Sequence, residues 1–138
     1  NRASELADKQ HLSRILADGP PGTGCPVIAS VSGTDLVVIV TEPTVSGVHD
    51  MERVLELASH FGVPAVVIVN KTDINPNQTK RIAEIAVARN SSVVGYIPFD
   101  SAVNEALMAG ETVIAHGSSA AAEAIRSAWD VVCEVIRK

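Results

Sequence analysis

The chain has 138 residues, a formal net charge of −5, 46% hydrophobic and 20% charged residues, and a mean hydropathy of +0.23. These values fit one globular domain over residues 1–138 and exclude a disordered or fibrous chain. The acidic balance and 3% aromatic content exclude a basic, base-stacking nucleic-acid surface, and no apolar run is long enough to cross a bilayer, so a cytoplasmic domain without nucleic-acid or transmembrane contact is expected.

In chain order, residues 1–13 are polar and mixed, as in a short helix or a loose N-terminal segment. "RILAD" (14–18) reads as a short strand, and "DLVVIVTEP" (35–43) as a strand buried on both faces. "SGVHDMERVLELASHFG" (46–62) places Val48, Met51, Leu55 and Ala58 at helical spacing before a glycine stop. "PAVVIVN" (64–70) is a further buried strand. Asn75 and Pro76 form an N-cap and first-turn pair for a helix to about Arg89. "SVVGYIP" (92–98) is the next strand, Asp100 caps a helix closing at Gly110, and an alanine-rich helix runs from about Ser119 to the end. Strands alternating with helices predict a three-layer, Rossmann-like α/β fold with a mostly parallel sheet flanked by helices.

Ligands of such sheets bind beyond the carboxyl ends of the strands. The residues predicted there are Asp18; Thr41, Glu42 and Pro43; Asn70, Lys71, Thr72 and Asp73; and Pro98, Phe99 and Asp100. "DGPPGTGCP" (18–26) nearly spells the phosphate loop G-x-x-x-x-G-K-[ST], but Cys25 and Pro26 stand where the lysine and hydroxyl should be. Each lost charge-assisted contact is worth roughly 1.5–3 kcal/mol, so the stretch fails as a phosphate loop. It reads instead as a carboxylate at a strand end, Asp18, acting on magnesium-bound water, with Pro21 and Gly22 in a switch-like turn. A plain Gly/Pro turn accounts for it equally well. "NKTD" (70–73) offers an amide and a carboxylate to a purine edge, with the Lys71 stem on the ring face; a polar turn before the Asn75 cap is the other reading. "IPFD" (97–100) can close over a base through its backbone, with Asp100 as a helix cap. The histidines show no H-x-x-x-H or H-x-H spacing and the two cysteines no C-x-x-C, which argues against metal or cluster ligation by this chain alone.

On "DGPPGTGCPVIAS", "DLVVIVTEPTVSGVHDMERVLELASHFGVP", "VVIVNKTDIN" and "VVGYIPFDSAVNEALMAGETVI", the sequence from Arg14 to Val113 resembles the MinD/ParA-like P-loop ATPases. It is most like the branch with a ferredoxin-like iron–sulfur insertion. The resemblance implies that Asp18 is the catalytic Walker B carboxylate acting on magnesium through water. It also implies that Gly22 lies in the switch, Glu42 and Pro43 line the nucleotide, Asn70 meets the adenine, and Pro98 to Asp100 form the adenine-facing loop. ATP and magnesium are the implied cofactors of an intact parent, with an iron–sulfur cluster in its remaining part. The implied partners are a nucleotide, a second copy around ATP and a protein partner of unstated identity.

The chain begins at Asn1 rather than methionine, as a piece of a longer protein would. The family's G-K-G-G-x-G-K-[ST] loop is absent from it, so the fold is expected to be partial, without tightly bound cofactor, and inactive alone in ATP hydrolysis. The family's first strand would lie between the strand ending at Asp18 and "LVVIV"; without it, a gap or an unpaired edge is expected, with self-association or a displaced first strand. Two alternatives stand beside this reading. One is a GTPase reading guanine through "NKTD", although Asp-x-x-Gly is out of register because Pro21 occupies the third place after Asp18. The other is a non-catalytic α/β interaction module.

Overall fold

The three β-branched runs pair side by side as one parallel sheet in the computed structural model, which describes residues 2–20 and 24–137. The strands are β1 (Val37–Thr41), β2 (Ala65–Asn70) and β3 (Val93–Ile97), in the order β1-β2-β3. Ile39 faces Val67 across β1 and β2, and the β2–β3 ladder carries a register shift between Val67 and Ile68. Helices α1 (Arg2–Lys9) and α2 (Cys25–Val31) precede β1; α3 (Val45–His60) and α4 (Pro76–Ala88) make the crossovers; α5 (Ser101–Met108), α6 (Val113–His116) and α7 (Ala120–Ile136) follow β3.

Side-chain alternation assigns the two faces of the sheet. Ile39, Val67 and Val69 point to one side and pack with Val48, Met51 and Leu55 of α3 and Ile82 and Ala86 of α4. Every residue of the predicted α3 stripe is buried, Ala58 through its contact with Val27 and Val31 of α2. Helix starts follow their caps: the Thr44 hydroxyl accepts from Gly47 N–H at 2.9 Å, and the Asn75 side chain accepts from Gln78 N–H at 3.1 Å. On the opposite face α7 packs on β3. Gly95 permits this contact, because a Cβ there would lie 2.5 Å from Ala128 Cβ.

The structure corrects one predicted element. Residues 14–18 form no strand; the segment is irregular and exposed, and Leu16 is 80% exposed. A strand needs a neighbour to take its backbone hydrogen bonds, and among the described residues β1 is paired on its β2 side only. Among the described residues the other edge of β1 is unpaired, and Val40 on it is 63% exposed. The short helix α6 has no counterpart among the predicted elements.

Candidate functional site

A parallel sheet delivers all its strand carboxyl ends to one rim. Here that rim carries Thr41 to Thr44 after β1, Asn70 to Asp73 after β2 and Pro98 to Asp100 after β3. Lys71 Nζ meets Glu42 Oε1 at 2.7 Å, joining the first two ends. Lys71 adopts a left-handed backbone (φ 54°), which costs a residue with a Cβ about 1–2 kcal/mol. That turn brings its N–H to Asn70 Oδ1 at 3.0 Å. Asn70 is half-buried, and with its oxygen engaged its amide NH₂ is the group left to donate.

The second and third ends are joined more tightly. Asp73 Oδ1 accepts from Phe99 N–H at 2.7 Å, and Thr72 N–H donates to Ile97 C=O at 3.1 Å. The Thr79 hydroxyl donates to Thr72 C=O at 2.8 Å, anchoring the same loop to α4. The two loops therefore make one wall, with Phe99 54% exposed upon it and Pro98 half-buried.

Asp100 holds two helices at once. Its Oδ1 accepts from Ala102 N–H and its Oδ2 from Ala121 N–H, each at 3.0 Å, so one carboxylate caps α5 and reaches the start of α7. The Ala121 N–H, then the Ala102 N–H and the Ser119 hydroxyl, hold its pKa below the ordinary aspartate range, because they bond the ionised form. Both acceptor oxygens are occupied by the protein.

The structure brings Glu42, Asn70, Lys71, Asp73, Pro98, Phe99 and Asp100 to the rim, with Pro43 buried beneath it. It does not bring Asp18 there through any strand: Asp18 lies exposed on the irregular segment. Pro21 and Gly22 lie outside the described residues. The site also includes Thr41, expected at the end of its strand, and Gly47, which the motifs do not single out. The buried Thr41 hydroxyl donates to Gly47 C=O at 2.9 Å, and a Cβ on Gly47 would collide with the Glu42 carbonyl. A glycine inside an otherwise helical run was the available signal.

Comparison with known proteins bears on what this rim belongs to. No family model matches the chain. An uncharacterised protein of Methanocaldococcus jannaschii is 31% identical over 94% of this chain and 43% of its own length. An iron–sulfur cluster carrier protein of Aquifex aeolicus is 27% identical over 91% of this chain and 38% of its own. The solved MinD cell division protein of Aquifex aeolicus superposes with a TM-score of 0.78 at 25% identity, covering 95% of this chain and 57% of that one. This chain is MinD/ParA-like. It spans less than half the length of these two relatives. Its three parallel strands flanked by helices make an open, Rossmann-like α/β fold that superposes on part of that MinD structure, with the rim at the carboxyl ends of the strands. Among the described residues no helix is long and apolar enough to cross a membrane.

Proposed function

We propose that the rim is the base side of an ATP pocket in a MinD/ParA-like nucleotide switch. The observation that carries this reading is the wall built by Asp73 and Phe99, beside which the half-buried Asn70 amide is left as a donor. An amide donor suits the ring-nitrogen acceptors of adenine, and Phe99 and Pro98 offer apolar surface to the ring. Guanine reading through "NKTD" would call on the Asp73 carboxylate to accept from the ring N1–H and the exocyclic 2-amino N–H. One of its oxygens is already committed to Phe99 N–H, which favours adenine.

The metal side is thinner. Among the described residues there is no group of three or more His, Cys, Asp or Glu able to hold a metal ion. Magnesium would arrive with the nucleotide's phosphates, keeping several of its waters, and Asp18 is the carboxylate proposed to bond one of them. Phosphate-gripping lysines are not supplied by "DGPPGTGCP", so hydrolysis, dimerisation around ATP and a protein partner belong, in this proposal, to an intact parent. An iron–sulfur cluster would likewise need ligands beyond Cys25, exposed at the start of α2, and Cys133, buried in α7.

Calorimetric titration of the chain with ADP and with GDP tests the reading. ADP is expected to bind more tightly, and Asn70→Ala to remove the difference. Tighter GDP binding would return the GTPase alternative, and no binding of either would favour an interaction module.

A further inference from the structure

The rim holds one carboxylate that the adenine reading leaves unused. Asp100 has both oxygens bonded by backbone N–H groups, and Asp73 is committed to Phe99 N–H. Glu42, just past the end of β1, accepts from Lys71 Nζ through Oε1 at 2.7 Å, and among the described residues no donor meets its Oε2. The side chain is 44% exposed, so a ligand on the rim can reach it. Its backbone is fixed as well. Glu42 C=O accepts from Thr44 N–H at 2.8 Å and abuts Gly47, while the buried Thr41 hydroxyl ties the strand end to Gly47 C=O at 2.9 Å. A carboxylate held through both its backbone and its side chain has little freedom left to lose when a ligand binds.

We propose that Glu42 accepts hydrogen bonds from the ribose hydroxyls of a ribonucleotide, an inference that rests on the base lying against the Asp73–Phe99 wall. Adjacent strands lie about 4.8 Å apart, so the end of β1 stands about one sugar's width from the end of β2, and the Glu42–Lys71 contact spans that gap. On the β3 side, Asp100 is taken up by α5 and α7, so a sugar leaving the base in that direction meets no free carboxylate oxygen from it. The ion pair suits the sugar. A diol supplies two O–H donors, an ionised carboxylate only accepts, and bonds to an ionised group are about twice as strong as neutral ones. The ammonium of Lys71 offsets the charge of Glu42, so the phosphates that follow the sugar meet little repulsion. The same ammonium disfavours a metal cation at this carboxylate, which leaves hydroxyl donors as the matching chemistry.

Calorimetric titration with ADP and with its dideoxyribose analogue, which lacks both hydroxyls, tests the assignment. The analogue is expected to bind the unsubstituted chain about tenfold or more weakly than ADP. Glu42→Gln keeps the shape of an exposed side chain and removes its charge. It should bring ADP affinity down toward that of the analogue while leaving the analogue's own affinity unchanged. Equal binding of ADP and the analogue overturns the proposal. So does a Glu42→Gln variant that weakens both ligands alike, which would make Glu42 a support for Lys71, or one that weakens neither. If ADP is still preferred to GDP in those cases, the base-side reading stands and only the sugar contact is lost. Absence of ADP binding removes both.

Discussion

The Asp73 carboxylate bonds the backbone N–H of Phe99 at 2.7 Å, joining loops 26 residues apart in sequence. Through this bond the ends of β2 and β3 form a single surface rather than two independent turns. The residue that reads most like a guanine-sensing carboxylate is thereby a positioning residue for the wall.

Replacing Asp73 by alanine removes the acceptor and frees the "IPFD" loop. The expected cost is about 1 kcal/mol, the net worth of an ordinary hydrogen bond, measured by urea unfolding. Amide exchange at Phe99 and Asp100 should rise more than the global loss explains, because the disruption is local.

Gly95→Ala places a methyl where Ala128 already sits. Overpacking of this kind costs typically about 1–3 kcal/mol, so a lower denaturant midpoint is expected. Adding Ala128→Gly to Gly95→Ala should restore part of the loss despite glycine's cost within a helix. A double variant no better than the sum of its parts would show that the contact is not the cause.

Asp100 predicts a pH signature. Its folded pKa is depressed by the N–H groups of Ala121 and Ala102. It therefore contributes stability above the ordinary aspartate range, and loses it as pH falls through the lowered folded value. Asp100→Asn should melt below the unsubstituted chain at neutral pH, with the gap closing in acid as the native carboxyl protonates. Thermal unfolding across that range measures it; a gap independent of pH would contradict the double-cap assignment.

Lys71 occupies a left-handed backbone and an exposed ion pair, two small terms of opposite sign. Lys71→Gly relieves the first and loses the second, and exposed pairs are worth about 0–1 kcal/mol. Stability should change little while nucleotide affinity falls, separating a role at the rim from a structural one.

Features that depend on near neighbours were legible in the sequence. The Val48, Met51, Leu55 and Ala58 stripe, the Asn75–Pro76 start and the three apolar runs all declare themselves within a few residues, and all are found as expected. The convergence of Glu42, Asn70 and Phe99 followed from parallel topology. What was not legible depends on distant partners. "RILAD" has the composition of a strand, but a strand exists only where a neighbour accepts its hydrogen bonds. The Asp73–Phe99 bond, the second helix held by Asp100 and the close approach of Gly95 to Ala128 each join residues that no local pattern links.

On the proposed reading, the wall between the ends of β2 and β3 receives an adenine ring. Chemical-shift mapping of the isotope-labelled chain during titration with ADP addresses it most directly. The largest perturbations are expected on the Asn70 side-chain amide and the backbone amides of Lys71 to Asp73 and Phe99 to Asp100, and Asp73→Ala should diminish them together. Perturbations centred instead on the opposite end of the sheet, around Arg89 and Asn90, would contradict it.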